Sequence, residues 1–334
     1  MFILDRSADL ASIAGDYIER QKMRDLTRQV NDIYRSESRS ELLRETIADA
    51  IENLPQIIIP NSPISHSGEK TIVVGIGDLH YGAKIKVEGL MGETINEYNS
   101  DIFEKRMWKL LTEIESICKK EDIGFVSVFF VGDLIDGMLR QSQLMRLQYG
   151  MVESTIRLSE FLAQWLNMLS VHANVSVYAV SGNHSEVRPL GSKKGQFEDE
   201  NLEKIVMWYL AERLRENDSI SIQPEVKKMN LVKIRGYNFL LMHGDGEKKI
   251  EQIAREAINL YGEHIDFFVC GHKHREQEIP SGMTSDGNSV VIRVPSICGT
   301  DTFANSKGYG GRPGAIATVI EQNYGRRCVY PIQL

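Results

Sequence analysis

The sequence predicts an α/β fold built from two packed sheets with helices on the outside. In the middle of the chain, apolar runs of strand length such as residues 126–131 (VSVFFV) alternate with helical patterns such as residues 101–121. Runs of this kind are typical of strands buried on both faces of an α/β sheet. The later part instead carries short strands separated by turns, as in LVKIRGYNFLLMH at residues 231–243. Alternating βα units followed by hairpins favour two sheets that share one core.

Length and composition are those of an ordinary globular protein. The chain has 334 residues, of which 42% are hydrophobic and 25% charged, so there is room for one large domain and an appendage. Its formal net charge of −7 argues against a broadly basic nucleic-acid-binding surface, but not against a local basic patch. Four cysteines without a Cys-x-x-Cys pair indicate reduced thiols. We therefore expect a cytoplasmic protein without a signal peptide or a membrane-spanning segment.

The N-terminal part of the chain predicts a separate helical region. Leu26, Val30 and Ile33 recur at helical spacing, and the capping box Ser38-x-x-Glu41 begins a second amphipathic pattern. Basic residues are interleaved with acids here, which favours packing or self-association into a homo-oligomer over a DNA-binding helix-turn-helix. A stretch rich in Pro, Ser and Gly then marks a boundary. The predicted divisions are the helical region at residues 1–59, a linker at 60–70 and the main domain at 71–334.

Helical patterns in the main domain lie between and after its predicted strands. They cover residues 101–121, 143–170, 197–215 and 247–261. Residues 82–99, after the first strand, are interpreted as a long excursion beside the predicted site. The later strands include a hairpin that is predicted to turn at Arg235-Gly236.

Polar side chains of three types follow the predicted strands. Asp, Asn or His stands at the end of five apolar runs. Ligands of α/β folds gather at the carboxyl ends of strands, so we expect these side chains to meet. The seven candidate metal ligands are Asp78, His80, Asp133, Asn183, His243, His272 and His274.

This set of donors fits two metal ions better than one. A single ion needs three or four such groups, and the strand ends supply seven. Oxygen and imidazole donors without a thiolate suit Mn²⁺, Mg²⁺, Fe and Zn²⁺, and Mn²⁺ is the expected cofactor. Two ions that share one bridging carboxylate are a standard device for in-line displacement at phosphorus, with a deprotonated water between them as the nucleophile.

The order of the motifs carries a resemblance to a known family. GDLHYG, GDLIDG, GNHS, HGD and GHKH follow one another along the chain. This series resembles the calcineurin-like metallophosphoesterases, whose pattern is D-x-H, G-D, G-N-H-(D/E), H and G-H-x-H, and the resemblance covers about residues 71–334. It implies an α/β fold of the four-layer αββα sandwich type, here with an N-terminal helical extension. It also implies an enzyme that hydrolyses phosphoric esters.

The resemblance also implies a role for each motif residue. One metal would be held by Asp78, His80 and His274, the other by Asn183, His243 and His272, with Asp133 as the bridge. His184 would not bind metal but would contact the scissile phosphate and protonate the leaving oxygen. One position departs from the family pattern, because Ser185 stands where an acidic residue usually follows G-N-H.

The substrate stays open among several classes, since fold and metals do not separate them. A further resemblance to DNA repair exonucleases favours a phosphodiesterase or nuclease acting on DNA, and the chain also resembles phage and prophage proteins. The alternatives are a small-nucleotide or phosphoprotein phosphatase and a non-catalytic scaffold of the same fold. The scaffold is disfavoured because such members lose metal ligands, whereas all seven are present here.

Two further groups of residues lie near the predicted site. The glycine-rich segment at residues 298–313 supplies candidate substrate contacts in Lys307, Tyr309 and Arg312, with a plain loop as the alternative. Asp136 and Asp245 stand beside ligand motifs. We interpret them as solvated loop carboxylates in preference to hydrogen-bond partners of the ligands.

Overall fold

The computed structural model describes two compact units, residues 1–55 and 56–334. Within the first unit, residues 21–27 are helical. The capping-box residue Ser38 and most of the predicted linker lie outside the described residues, so the predicted domain boundaries stay a prediction. The described residues are 21–27, 41, 45, 48–49, 51–52, 54–59, 68–137, 146–187, 196, 199–246, 256, 262–284, 287–306, 308 and 310–334.

The described part of the second unit contains thirteen strands and four helices. In chain order they are β1 (Lys70–Ile76), β2 (Ile85–Glu88), β3 (Thr94–Tyr98), α1 (Ser100–Glu121), β4 (Phe125–Phe130), α2 (Met151–Leu169), β5 (Asn174–Ala179), α3 (Leu202–Arg213), β6 (Ile220–Ile222), β7 (Met229–Ile234), β8 (Tyr237–Met242), β9 (Phe267–Cys270), β10 (Gln277–Thr284), β11 (Gly287–Arg293), α4 (Thr302–Ser306), β12 (Gly314–Glu321) and β13 (Gly325–Gln333).

Eleven of the strands form two sheets. The first sheet has the order β13-β12-β1-β4-β5-β6, and its strands β1, β4, β5 and β6 are parallel. The second has the order β10-β11-β9-β8-β7, with β8, β9 and β11 parallel. Parallel neighbours end at the same edge of a sheet, so the loops after β1, β4 and β5 lie side by side. The same holds for the loops after β8 and β9.

One hydrophobic core joins the two sheets. Val73, Phe129 and Val131 of the first sheet and its loops belong to the same buried cluster as Phe239 and Val269 of the second. The rings of Phe129 and Phe239 meet edge to face with 5.5 Å between centroids. Two sheets thus pack face to face with helices outside them, which confirms the predicted sandwich.

The outer helices follow their sequence patterns, with corrected starting points. α1 covers the predicted 101–121 and is capped by Asn99, whose side chain accepts from Ile102 N. α2 begins at Met151 and not at 143, because residues 146–148 pair with residues 82–84. α3 begins at Leu202 and not at 197, because Asn201 caps it. Of the predicted helix 247–261, only Glu256 is described, and it is helical.

The predicted excursion at residues 82–99 contains a hairpin. β2 and β3 pair in antiparallel fashion, and the turn between them is closed by a hydrogen bond from Gly89 N to Glu93 O. The hairpin is attached to the loop before α4, since Asn96 Nδ2 donates to the carbonyls of Cys298 and Thr300. This attachment holds β2 next to the strand ends. None of the described helices is long and apolar enough to cross a membrane.

Candidate metal centre

All seven predicted ligands lie at the shared carboxyl edge of the two sheets. Asp78 and His80 follow β1, Asp133 follows β4 and Asn183 follows β5. From the second sheet, His243 follows β8, and His272 and His274 follow β9. Their ring nitrogens and carboxylate oxygens form two clusters, one on each side of Asp133.

The first cluster contains Asp78, His80 and His274. The Nε2 atoms of His80 and His274 are 3.2 Å apart, and Asp78 Oδ1 lies 3.6 Å from His274 Nε2 and 3.9 Å from His80 Nε2. Metal–ligand bonds of about 2.0–2.2 Å place neighbouring donors about 3–3.5 Å apart. Asp78 Oδ1 is buried and has no hydrogen-bond partner among the described residues. A buried carboxylate oxygen in this state suits a bound cation.

The second cluster centres on His243. Its Nε2 lies 3.0 Å from Asp133 Oδ2, 3.1 Å from Asn183 Oδ1 and 3.2 Å from His272 Nδ1. Asp133 Oδ2 is also 3.9 Å from His80 Nε2 in the first cluster. One carboxylate therefore faces both clusters, and the described donors fit divalent metal ions.

Hydrogen bonds on the outer side fix how the ligands present their atoms. The Nδ1 atoms of His243 and His274 donate to the carbonyls of Val131 (2.8 Å) and Gly299 (3.0 Å), which leaves the Nε2 lone pairs for the site. Asp78 Oδ2 accepts from His272 N at 2.8 Å. Asp133 Oδ1 likewise accepts from His184 N at 2.7 Å. Each carboxylate thus has one oxygen held by the backbone and the other turned to the clusters.

The backbone turns sharply where the strands deliver these side chains. Asp78, His80, Asp133, His272 and His274 have φ values of 51°, 46°, 55°, 70° and 51°. Non-glycine residues seldom adopt this left-handed conformation, and Asp and His tolerate it better than most. Strain of this kind concentrates at functional sites, where surrounding structure holds it in place. Glycine is required in the G-N-H motif for a different reason. A Cβ at Gly182 would lie only 2.1 Å from Asp133 N.

The charges of the clusters shift the histidine pKa values strongly. Burial lowers the pKa of His80, but a hydrogen bond with Asp136 and the carboxylate charges outweigh it and raise the pKa to about 9. Burial also lowers the pKa of His243. The charge of Asp133 and a hydrogen bond with it outweigh burial and raise that pKa to about 10. Burial, joined by the neighbouring His243, lowers the pKa of His272 to about 4. The carboxylates thus create a negative potential that favours bound cations.

Asp136 holds the candidate catalytic residue His184 in place. His184 Nδ1 donates to Asp136 Oδ1 at 2.7 Å, and the same oxygen lies 3.4 Å from His80 Nδ1. The rings of His80 and His184 meet edge to face at 4.4 Å. Burial acts to raise the pKa of Asp136, but its hydrogen bonds with both histidines hold that pKa well below its usual range. Asp136 is only 8% exposed, so its interpretation as a solvated loop carboxylate is wrong.

Glu203 is a further buried carboxylate beside the site, and the sequence patterns did not reveal it. Its Oε2 accepts from Gly182 N at 2.6 Å, while Oε1 accepts from Leu134 N at 2.8 Å and from Ser185 Oγ at 2.9 Å. One side chain of α3 therefore ties the loop after β4 to the loop after β5. Burial and the charge of Asp133 raise the pKa of Glu203 to about 7, partly offset by these hydrogen bonds.

Cys298 lies beside the first cluster, and its Sγ and ring nitrogens of His80 and His274 lie within 4.8 Å of one another. Its Sγ is 3.9 Å from His274 Nδ1, the nitrogen that is already bonded to Gly299 O. Burial raises the pKa of the Cys298 thiol well above its ordinary value.

A cavity of about 310 Å³ opens beside the clusters. Its lining includes His80, Asp136, His184 and Asp301 together with the cations Lys84, Lys86 and Arg146. Lys84 and Lys86 follow the first ligand motif at alternating positions, a weak signal that a hairpin prediction could have used. Arg146 gave no signal, because it fell within the predicted helix 143–170.

The three sequence-based substrate contacts have a different outcome. Lys307 and Tyr309 lie outside the described residues. Arg312 is exposed, with its Nη1 3.4 Å from Gln333 Oε1. It is not among the described residues that line the cavity. Its role in substrate binding stays a prediction.

Comparison with known proteins places this geometry in context. The sequence profile of the calcineurin-like phosphoesterases matches residues 72–276. The chain is 28% identical to an SPbeta prophage-derived uncharacterized protein, YonJ of Bacillus subtilis (strain 168), over 316 residues, which are 93% of this chain and 76% of the relative. This relative supports the predicted resemblance to prophage proteins.

Several solved structures are also similar to this chain, at low sequence identity. An archaeal phosphodiesterase has a TM-score of 0.39 at 13% identity and covers 79% of this chain and 99% of its own. Vps29 of Entamoeba histolytica complexed with zinc has a TM-score of 0.33 at 12% identity, with coverage of 78% and 98%. The NAD nucleotidase NadN of Haemophilus influenzae has a TM-score of 0.35 at 12% identity, with coverage of 79% and 50%.

The family profile covers more than half of the 334 residues, and it includes every strand end that carries a predicted ligand. The ordered motifs, the two packed sheets and the paired clusters of donors agree with it. This chain belongs to the calcineurin-like phosphoesterase family.

Proposed function

We propose that this protein is an enzyme that hydrolyses phosphoric esters with two divalent metal ions, and that its substrates are phosphodiester bonds in DNA. The observation that carries the proposal is the position of Asp133. Its Oδ2 lies 3.0 Å from His243 Nε2 and 3.9 Å from His80 Nε2, so one carboxylate faces both clusters of donors. A shared carboxylate is what a pair of ions about 3.5–4 Å apart requires.

Each cluster supplies enough donors for one ion. One ion would be held by Asp78, His80 and His274, the other by Asn183, His243 and His272, and both by Asp133. When bound, such ions polarise the phosphoryl group and lower the pKa of a water molecule that attacks it. Mn²⁺ is our proposed ion, since it accepts mixed oxygen and imidazole donors. The negative potential that raises the pKa values of His80 and His243 supports a dication in place of protons.

His184 is the proposed proton donor. Its Nδ1 is held by Asp136 at 2.7 Å, which leaves Nε2 as the nitrogen for the substrate, and His184 lines the cavity. A positioned imidazolium can protonate the leaving oxygen as the bond to phosphorus breaks. The hydrogen bond with Asp136 fixes the orientation of the ring.

The cations of the cavity support a substrate with more than one phosphate. Lys84, Lys86 and Arg146 line it, whereas the chain as a whole carries a net charge of −7. A strand of DNA meets this requirement, and a substrate with a single phosphate group does not use it. The intact set of seven donors speaks against a non-catalytic scaffold.

A substrate panel tests the proposal. Protein stripped with a chelator and reloaded with Mn²⁺ is assayed on bis-p-nitrophenyl phosphate, p-nitrophenyl phosphate, single-stranded DNA and duplex DNA. We expect metal-dependent cleavage of the diester and of single-stranded DNA in preference to the monoester. Cleavage of monoesters and free nucleotides without cleavage of any DNA or RNA would refute the nuclease proposal and favour a phosphatase. If the metal-loaded protein cleaves none of these esters, the proposal that it is an enzyme is refuted.

A further inference from the structure

We propose that Lys84 and Arg146 form a subsite for the phosphate next to the scissile one, so that this enzyme prefers a nucleic-acid strand to an isolated phosphoester. The inference rests on the proposed phosphodiesterase activity and assigns its substrate class. Both side chains line the cavity that also contains His184 and Asp136. A phosphate held there would belong to the same substrate molecule as the one at the metal clusters.

The backbone fixes the two cations next to each other. Lys84 N donates to Arg146 O at 3.0 Å, and Ala83 forms a bridge with Leu147. Gln148 N donates to Gly82 O at 2.7 Å and continues the pairing. Lys84 also stands four residues after the candidate ligand His80. The short segment that delivers a candidate metal ligand thus also delivers a cation to the cavity.

The charge of each cation is available to a different degree. Lys84 is exposed, and its Nζ has no hydrogen-bond or ion-pair partner among the residues that the structure describes. Arg146 Nη1 donates to Thr302 Oγ1 at 2.9 Å, a neutral acceptor, and its guanidinium forms no ion pair within the part of the chain that the structure describes. Lys86 Nζ, in contrast, lies 2.8 Å from Glu88 Oε1. We therefore rank Lys84 and Arg146 above Lys86 as phosphate contacts.

The cavity keeps an excess of cations over acids. Three cations line it, against the two acids Asp136 and Asp301. Asp136 accepts from His184 and lies beside His80, and Asp301 Oδ1 accepts from Ala304 N at the start of α4. The lining therefore carries a formal positive charge that an anion can meet. Charge-assisted contacts of this type with phosphate oxygens are short and strong.

Dinucleotides with and without one extra phosphate test the subsite. We measure cleavage of the internal bond of a thymidine dinucleotide, TpT, and of the same compound with a 5′-phosphate or a 3′-phosphate. We expect kcat/KM of the wild type to rise about tenfold for one of the two phosphorylated forms, the gain of one charge-assisted hydrogen bond. Lys84→Ala and Arg146→Ala should each reduce this gain to about threefold or less. Lys84→Arg should restore most of it.

Two matched variants complete the design. Lys86→Ala should change the gain by less than about twofold, because its charge is shared with Glu88. Lys233→Ala removes an exposed cation of β7 that does not line this cavity, and it should leave the gain unchanged. Thermal denaturation of every variant checks that it folds. A gain that only Arg312→Ala removes would overturn the assignment in favour of the glycine-rich segment.

The outcomes separate this inference from the proposed function. A wild type that cleaves bis-p-nitrophenyl phosphate and TpT, with no gain from either extra phosphate, overturns the subsite and leaves the phosphodiesterase standing. A gain that persists when Lys84 and Arg146 are both alanine overturns it as well. Preference for thymidine diphosphate over every dinucleotide would replace the strand by a free nucleotide. Cleavage of none of these esters would instead refute the proposed function.

Discussion

Replacing Glu203 by glutamine tests the carboxylate that joins the two loops after β4 and β5. Glutamine keeps the size of the side chain but turns one acceptor into a donor. Oε2 of Glu203 accepts from Gly182 N, and Oε1 accepts from Leu134 N and Ser185 Oγ. In either orientation of the glutamine amide, its NH₂ group faces a backbone N–H. One buried donor, that of Gly182 or of Leu134, therefore loses its acceptor.

The size of the effect depends on pH. A buried unsatisfied donor costs roughly 1–3 kcal/mol, which is the expected destabilisation where Glu203 is protonated. The pKa of Glu203 is raised from 4.5 to about 7 by burial and by Asp133. A raised acid pKa contributes stability below pH 4.5 that is lost as pH rises through 7, in total roughly 3 kcal/mol at 1.36 kcal/mol per pKa unit. Glutamine does not titrate, so the deficit of Glu203→Gln should shrink or reverse between pH 5 and pH 8.

Chemical denaturation of metal-free protein at pH 5, 6, 7 and 8 measures this difference. Glu200→Gln is the matched control, because Glu200 is exposed and lies three residues earlier. That control should change the free energy of unfolding by no more than about 0.5 kcal/mol at any of the four pH values. A deficit of Glu203→Gln that grows as pH rises would refute the reasoning. It would show that the three hydrogen bonds outweigh burial and hold the pKa of Glu203 below its ordinary value.

Four further predictions concern the metal centre and the substrate. Asp133→Ala should lose both bound metal and activity, and elemental analysis that still finds two ions per chain would contradict the bridge. His184→Ala should keep its metal and lose about 10²–10⁴-fold in activity on substrates with poor leaving groups, with a smaller loss on nitrophenyl esters; an equal loss on both would exclude the proton donor. Metal binding should release protons and tighten from pH 6 to pH 9, because the raised pKa values of His80 and His243 keep both rings protonated without metal, and calorimetry in buffers of different ionisation enthalpy detects this. Cleavage of single-stranded DNA should fall only mildly with salt, with a slope near −0.7 for each contacted phosphate, and a slope steeper than about −4 would indicate a much larger basic surface than this cavity.

The candidate ligands could be predicted because their signal is local. Each one stands directly after an apolar run, and parallel strands of one sheet must end at one edge. Close packing explains two of the glycines before these ligands, since a Cβ at Gly77 would lie 2.6 Å from Val131 Cγ2 and one at Gly271 would lie 2.7 Å from Asp78 Oδ2. Gly132, before Asp133, instead has a left-handed φ of 87°. The same reasoning failed for Asp136. Its carboxylate looks like an ordinary loop acid in GDLIDG, and only the fold shows that it contacts His184.

Glu203 illustrates a second kind of limit. It follows the cap residue Asn201 in the first turn of α3, where an acid is common because it complements the helix dipole. Its function at the site depends on the loops that contain Gly182 and Ser185, which reach it only through tertiary structure. The departure from the family pattern at Ser185 was visible in the sequence. The sequence did not show that the hydroxyl of Ser185 donates to the carboxylate of Glu203, eighteen residues later.

The cations of the cavity show why net charge was a poor guide to substrate. A charge of −7 correctly argues against a broad basic field, yet it says nothing about where two or three cations meet. Lys84 and Arg146 are 62 positions apart and meet because the segment before α2 pairs with the segment after His80. The helical pattern assigned to 143–170 concealed that pairing. Leu147 fits the apolar stripe of a helix as well as it fits a strand, so the pattern could not distinguish the two. A contact between two segments that are far apart in the sequence leaves no motif of fixed residue spacing. The long-range pairing of residues 82–84 with 146–148 therefore provides candidate substrate contacts that no motif of the sequence could indicate.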